Sequence, residues 1–170
     1  IESLSFEVKD ESRINFCVIR QYDRNSLQLF NEPGPMLTPE EATGYIDYVR
    51  TILDHSPQAW LIISGSAARG LTAEHLNNLV EYAVTNGHAV CADIGGEWLK
   101  KIVTFPISVL KVNREEFHHA FGIDMNCQHE VEAFRKARGI GTIIITDGGK
   151  GCIGWDENGQ VIKATVSNPP

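Results

Sequence analysis

The sequence predicts a single α/β domain built around a mostly parallel β-sheet. Strand-like apolar runs alternate with helix-like segments along most of the 170 residues, and this alternation is typical of a parallel sheet covered by helices on both faces. Two of the runs, residues 59–63 (AWLII) and 142–146 (TIIIT), suggest strands buried on both sides. The length suits one domain, and 42% apolar with 22% charged residues is a globular composition.

Two β-rich runs near the start are predicted to lie outside the main sheet. Residues 13–20 (RINFCVIR) and 26–30 (SLQLF) flank the turn-like segment 23–25, which predicts a hairpin or a pair of strands. The NEPGP segment at 31–35 is a strong loop signal. We therefore expect residues 1–35 to form a small β unit with its return loop, and residues 36–170 to form the α/β core.

Helices and strands alternate through this core. Thr38 and Pro39 predict the start of the first helix, because Thr is a good N-cap and Pro fits the first helical position. Thr72 caps a second helix, which ends at Gly87. After residues 59–63, the predicted strands are 88–93, 107–111, 142–146, 152–155 and 161–165, and the later helices are 97–103, 115–121 and 130–137.

Composition excludes several classes of function. A net charge of −7 gives no overall attraction to nucleic acid or anionic lipid. No apolar run is long enough to span a bilayer, and the start does not read as a secretory signal. The four cysteines form no C-x-x-C pair, and most lie in apolar runs, so we expect reduced core thiols in a cytoplasmic protein. The chain begins at Ile1 and stops at Pro170, which suggests a piece of a longer protein.

Polar or glycine-rich groups follow each of the four central strands. These groups are Ser64-Gly65-Ser66, Asp93, Lys111-Val112-Asn113, and the TDGGKG segment at 146–151. In open α/β sheets, ligands bind beyond the carboxyl ends of the strands. The sequence therefore predicts that these loops converge on one pocket that holds polyanions.

Each of these motifs taken alone has two interpretations. The glycine-rich turn lets backbone N–H groups face an anion beside Lys150, or it is a plain tight turn, since it fits neither G-x-x-x-x-G-K-[ST] nor G-x-G-x-x-G. Asn113 and Glu116 offer oxygen ligands for Mg²⁺, or they form a helix cap. Asp93 holds magnesium-bound water or caps a turn. Arg13 grips a substrate phosphate or is a solvated surface charge.

Six segments in order resemble the PfkB, or ribokinase-like, carbohydrate kinases, closest to the 1-phosphofructokinase and tagatose-6-phosphate kinase branch. They are SRIN at 12–15, FNEPGP at 30–35, IISGSAARGL at 62–71, ADIGGEWL at 92–99, LKVNREEF at 110–117 and IIITDGGKG at 143–151. The resemblance covers nearly the whole chain at roughly the family's spacing. It implies a ribokinase-like three-layer sandwich with a mostly parallel central sheet, a β lid formed by the N-terminal strands, and a homodimer that pairs through this lid.

The resemblance also implies an activity and a site. The family transfers the γ-phosphoryl group of ATP to a sugar-phosphate hydroxyl with Mg²⁺; fructose 1-phosphate is the first expected substrate and tagatose 6-phosphate the second. By position, Arg13 and Ser66 resemble sugar-phosphate contacts. The nucleotide contacts implied are Lys111, Asn113, Glu116, Thr146, Gly148, Gly149, Lys150 and Gly151, and the magnesium carboxylates are Asp93 and Glu116.

The sequence departs from the family at several points. Val112 stands within the usual K-P-N, and Ala67-Ala68-Arg69 replaces part of G-S-L-P-P-G, which makes Arg69 a candidate for a further phosphate contact. Nothing matches the family's early sugar-binding glycine motif or its later G-A-G-D element with the aspartate base. We therefore expect no catalytic base in this chain and no activity from it alone. Two alternatives stay open: a sensor of sugar phosphate or nucleotide that lacks the base, and a related kinase of an unphosphorylated sugar or nucleoside.

Overall fold

The computed structural model describes residues 4–20, 23–165 and 167, and these residues form two separate sheets. In chain order the elements are β1 (Asn15–Arg20), β2 (Asp23–Asn31), α1 (Pro39–Asp54), β3 (Trp60–Ser64), α2 (Ala73–Thr85), β4 (Ala89–Asp93), α3 (Gly96–Ile102), β5 (Val109–Asn113), α4 (Arg114–Phe121), α5 (Gln128–Ala137), β6 (Thr142–Thr146), a 3₁₀ turn (Gly148–Lys150), β7 (Cys152–Trp155) and β8 (Val161–Ala164).

The main sheet has six strands in the order β3-β4-β5-β6-β7-β8. The strands from β3 to β6 pair in parallel, whereas β7 and β8 are antiparallel additions at one side, so the predicted mostly parallel sheet is confirmed. The parallel register places Ser64 opposite Asp93 and Asn113 opposite Thr146. The polar strand ends therefore lie along one edge of the sheet.

Capping interactions fix where the first two core helices begin. The Thr38 side chain accepts a hydrogen bond from the backbone N–H of Glu41, and the Glu41 carboxylate accepts one from the N–H of Thr38. Thr72 and His75 form the same reciprocal arrangement at α2. These bonds satisfy backbone donors that the helix itself leaves unpaired. Both predicted helix starts are confirmed.

The core lies between the sheet and its helices. The fully buried side chains are mainly aliphatic and include Val90, Leu110, Ile143 and Ile145; burying one such side chain is worth about 1.5–3 kcal/mol. A buried charge, Arg135, is paired with Glu132 at 2.7 and 2.8 Å and also donates to the carbonyls of Ile140 and Gly141. This pairing offsets the cost of removing the guanidinium from water.

The strand β3 corrects the prediction that residues 59–63 are buried on both sides. Leu61 is buried, but Trp60 and Ile62 on the other face are 56% and 67% exposed. The reason is topological: β3 is the first strand in the sheet order, and the described elements leave this face uncovered. Cys17 on β1, predicted to lie in a core, is exposed as well, and all four cysteines are free thiols.

The two N-terminal strands form an antiparallel ribbon outside the main sheet, as predicted, with Phe16 opposite Phe30. The predicted turn at residues 23–25 is wrong, because Asp23 already pairs with Arg20 and the segment belongs to β2. Residues 21–22, between the two strands, lie outside the described residues. The predicted strand 107–111 starts two residues later, at Val109, and extends to Asn113.

Candidate functional site

A cavity of about 480 Å³ opens at the carboxyl edge of the sheet. Three of its lining residues, Ser66, Asp93 and Glu116, were singled out from the sequence as site residues. They come from the loop after β3, the end of β4 and the first turn of α4. The backbone N–H of Gly65 donates to the carbonyl of Asp93 at 3.1 Å, which holds the first two strand ends together. The remaining lining residues are Gly65, Ala67, Ile94, Gly95, Gly96 and Trp98.

Arg13 reaches the rim of this site from the segment just before β1. Its Nη1 atom donates a hydrogen bond to the Ser66 hydroxyl at 2.7 Å, across 53 residues of sequence. The structure thus brings together the two residues that the resemblance implies as sugar-phosphate contacts. An arginine guanidinium beside a hydroxyl at a pocket rim offers several N–H donors to an incoming phosphate.

Asp93 and Lys111 form an ion pair between the ends of β4 and β5. The Lys111 ammonium lies 2.9 Å from the Asp93 carboxylate, and both side chains are partly exposed. Burial raises the pKa of the neighbouring Cys91 thiol, and the negative charge of Asp93 raises it further, against the opposing effect of Lys111. The thiol therefore stays protonated at neutral pH, and the pair carries the charge at this point of the edge.

The Glu116 carboxylate both forms a helix cap and lines the cavity, so the cap and ligand interpretations left open by the sequence are compatible. Its N–H donates to Asn113 Oδ1 at 2.8 Å, and its Oε2 atom accepts from the N–H of Asn113 at 3.4 Å, so the helix cap is present. Its Oε1 atom lies where a Cβ added to Gly95 would come within 2.7 Å. The carboxylate therefore closes the cap on one side and lines the cavity on the other.

The glycine-rich turn lies at the same edge but does not line this cavity. Thr146 is opposite Asn113 in the sheet and donates weakly to the Val112 carbonyl at 3.5 Å. Gly148, Gly149 and Lys150 form the exposed 3₁₀ turn that follows. Gly151 has a structural reason to be glycine: its φ is +102°, and a Cβ there would lie 1.9 Å from the Ala164 carbonyl.

Sequence reasoning missed an ion pair that joins this turn to α4. The Asp147 carboxylate accepts from Arg114 Nη1 at 3.1 Å and lies 3.6 Å from Lys150 Nζ. Arg114 and Asp147 directly follow the predicted site residues Asn113 and Thr146. In the sequence alone, each is indistinguishable from an ordinary surface charge. Their pairing became visible only because β5 and β6 are neighbours in the sheet.

A second cavity, of about 430 Å³, adjoins the first and has a largely apolar lining. It lies between the segment that carries Phe6 and Val8, the helices α1 and α2, and β3. Ser66 and Trp98 line both cavities. The loop that carries Ser66 therefore borders both cavities.

Two carboxylates in the first cavity, Asp93 and Glu116, are of the kind that can hold a magnesium ion together with phosphate. Within residues 4–20, 23–165 and 167, no group of three or more His, Cys, Asp or Glu side chains could hold a metal ion. Asp93 and Glu116 nevertheless line one cavity, and Mg²⁺ is usually held by one or two carboxylates, waters and substrate phosphates rather than by an all-protein cage. No described helix is long and apolar enough to cross a membrane.

No family model matches the sequence. Solved structures do match the fold. Phosphofructokinase-2 from Escherichia coli, in complex with substrates and products, superposes with a TM-score of 0.80 at 23% identity, over 93% of this chain and 52% of that one. A Thermotoga maritima protein described as a possible 1-phosphofructokinase gives 0.75 at 21% identity, over 91% and 48%.

This chain therefore spans about half the length of the phosphofructokinases that it matches. At these identities the similarity establishes the fold, and the implied resemblance is confirmed at that level. The chain, with its mostly parallel central sheet and separate two-stranded ribbon, shares the ribokinase-like α/β fold with these phosphofructokinases.

Proposed function

We propose that this chain is the part of an ATP-dependent sugar-phosphate kinase that binds the nucleotide and the sugar phosphate. The observation that carries the proposal is the convergence of Ser66, Asp93, Lys111 and Glu116 at one edge of the sheet. Phosphoryl transfer depends mostly on positioning and charge neutralisation. These side chains supply charges and hydrogen-bond donors of the required kind.

The nucleotide half of the proposed site lies along β5 and β6. Lys111 provides a cation for the triphosphate, and Asn113 and Thr146 sit side by side at the strand ends. Gly148, Gly149, Lys150 and Gly151 follow as the turn over which the nucleotide phosphates and ribose lie in this proposal. Asp93 and Glu116 hold Mg²⁺, which would neutralise phosphate charge when bound.

The sugar-phosphate half is the contact between the N-terminal segment and the β3–α2 loop. Arg13 and Ser66 bind the phosphate of the acceptor. Fructose 1-phosphate is our first candidate and tagatose 6-phosphate the second. Support for a fructose phosphate comes from the solved structures, one of which is a phosphofructokinase-2 in complex with fructose-6-phosphate.

No residue of this chain matches the base that deprotonates the acceptor hydroxyl, so we propose that the chain does not turn over alone. The test is calorimetry with Mg²⁺-ATP and with fructose 1-phosphate, followed by an assay for fructose 1,6-bisphosphate. Binding of both ligands without turnover is the expected result. Clear turnover by these 170 residues would refute the expected inactivity, and failure to bind either ligand would refute the proposed site.

A sensor that binds the same ligands without phosphorylating them is the second candidate, favoured by the presence of binding residues without a base. The gene sequence following Pro170 separates the two functions: a G-x-G-D segment there supports the kinase. For the third candidate, a kinase of an unphosphorylated sugar or nucleoside, Arg13→Ala is decisive. It should weaken fructose 1-phosphate selectively, and an equal loss for free fructose would favour that candidate.

We also propose that two copies pair through the β1–β2 ribbon. Phe16, Val18 and Phe30 lie on one face of the ribbon and are each about half exposed, and a lone two-stranded ribbon is marginally stable in water. Covering these side chains with a second ribbon would remove apolar surface from water. Sedimentation velocity tests this: the protein should be dimeric and Phe16→Ser largely monomeric, whereas a monomeric wild type would overturn it.

A further inference from the structure

The loop that returns from the ribbon is locked against the loop after β3. Met36 and Arg69 form a parallel β-bridge, and the Leu37 N–H donates to the Arg69 carbonyl at 2.8 Å. Gly70 has a φ of +95°, and a Cβ there would lie 2.3 Å from the Leu37 carbonyl oxygen. The two backbones thus touch at a point where a side chain has no room.

The Arg69 side chain ties a third segment to this junction. Its Nε atom donates to the Gly34 carbonyl at 2.8 Å, and Nη2 lies 4.0 Å from Asp10 Oδ2. The same Asp10 oxygen accepts from the Met36 N–H at 2.8 Å. Hydrogen bonds from the backbone N–H groups of Met36 and Glu11 lower the pKa of Asp10, so it is ionised opposite Arg69 at neutral pH.

Arg69, a candidate for a phosphate contact by sequence, makes its contacts within the protein in this structure. Arg69 lines neither of the two cavities, and its guanidinium is directed at Gly34 and Asp10. The segments it joins are nevertheless those that form the proposed sugar-phosphate subsite. Ser66 precedes Arg69 by three residues, Arg13 follows Asp10 by three, and the 2.7 Å bond between Arg13 and Ser66 spans the same two segments.

We propose that Arg69 is a positioning residue, which holds the N-terminal segment and the return loop against the β3–α2 loop and thereby keeps Arg13 beside Ser66 for the acceptor phosphate. Its ligand-binding consequence rests on the proposed function above, whereas its anchoring role does not. The two parts are therefore measured separately.

The anchoring role is tested by hydrogen exchange at the Met36 and Leu37 amides. In Arg69→Ala these amides should exchange about tenfold faster, because the hydrogen bonds that protect them open more often. Gly70→Ala places a Cβ against the Leu37 carbonyl oxygen and should speed exchange at the same amides. Lys100→Ala, which breaks an exposed lysine–glutamate pair on α3, is the matched control and should stay within about twofold. Exchange rates in Arg69→Ala equal to the control would overturn the anchor.

The positioning role is tested by calorimetry on the same variants. Arg69→Ala should weaken fructose 1-phosphate about tenfold and leave Mg²⁺-ATP within about twofold, because only the acceptor half is disturbed. Arg69→Lys keeps the charge but loses the Nε donor to Gly34, and it should show the same selective loss if Arg69→Ala does not fold. Equal losses for both ligands would overturn the positioning role. If the wild type binds neither ligand, the proposed function fails, and the exchange rates still decide the anchor.

Discussion

The Lys111 ammonium lies 2.9 Å from the Asp93 carboxylate, and this pair joins the ends of two parallel strands beside the cavity that Asp93 lines. Because both side chains are partly exposed, the pair contributes little to stability. Because the pair is weak, each of the two charges can exchange its present partner for a ligand. In the proposed function, a triphosphate would attract Lys111 and Mg²⁺ would attract Asp93, so ligand binding would separate the two at small cost.

Replacing Lys111 tests whether its ammonium group binds the nucleotide. Lys111→Ala should weaken Mg²⁺-ATP about tenfold or more, since one charge-assisted contact is lost. The free energy of unfolding should change by less than about 1 kcal/mol, and unfolding should stay cooperative. Calorimetry and urea denaturation measure the two quantities, with Lys100→Ala as the exposed-lysine control. Unchanged ATP affinity would mean that residues 111–116 form only a strand end and a helix cap.

Two substitutions at Glu116 separate its cap role from its ligand role. Glu116→Gln keeps an oxygen that can accept from the Asn113 N–H but removes the negative charge. It should therefore stay within about 0.5 kcal/mol of wild type in stability, whereas Glu116→Ala should lose about 1 kcal/mol with the cap. Both variants should lose the magnesium dependence of ATP binding. If Glu116→Gln keeps the wild-type magnesium dependence, Glu116 acts only as a helix cap.

The two faces of β3 should respond differently to substitution. Leu61→Ala removes a buried side chain and should cost about 2–4 kcal/mol. Ile62→Thr, one residue along the same strand, changes an exposed side chain and should cost less than about 0.5 kcal/mol. Urea denaturation compares the pair directly. A cost for Ile62→Thr close to that of Leu61→Ala would mean that this face is covered in solution.

Glu132 should make stability depend on acid pH. Hydrogen bonds from Arg135, and secondarily from Lys136, lower the pKa of Glu132 from 4.5 to about 2 against the effect of burial. A carboxyl whose pKa is lower in the folded state stabilises the protein fully above the unfolded value and loses this contribution as the pH falls through the folded one. The stability difference between wild type and Glu132→Gln should therefore be constant above about pH 5 and shrink steadily toward pH 2.

Urea denaturation at a series of pH values measures this difference. At neutral pH it should be on the order of 1–2 kcal/mol, since the pair is bidentate and Arg135 is buried. Glu97→Gln, in an exposed pair with Lys100, is the control and should show a far smaller dependence. A Glu132→Gln difference that does not change between pH 5 and pH 2 would contradict the assignment.

Features that depend on neighbouring residues could be read from the amino-acid order. The capped starts of α1 and α2 follow from Thr38 and Thr72, because a cap involves residues only three apart. The alternation of elements predicted the parallel sheet, and the polar residue at the end of each strand predicted one functional edge. The direction of a parallel strand is enough to say at which edge its last residue lies.

Features that depend on which elements become neighbours needed the folded chain. Trp60 and Ile62 are exposed because no described element covers that face of β3, and an apolar run cannot reveal this. The contacts of Arg69 with Gly34 and Asp10 join positions tens of residues apart. Local chemistry selects helix, strand and cap. The partner of each exposed charge and the burial of each strand face are decided by long-range packing, which exists only in the folded chain.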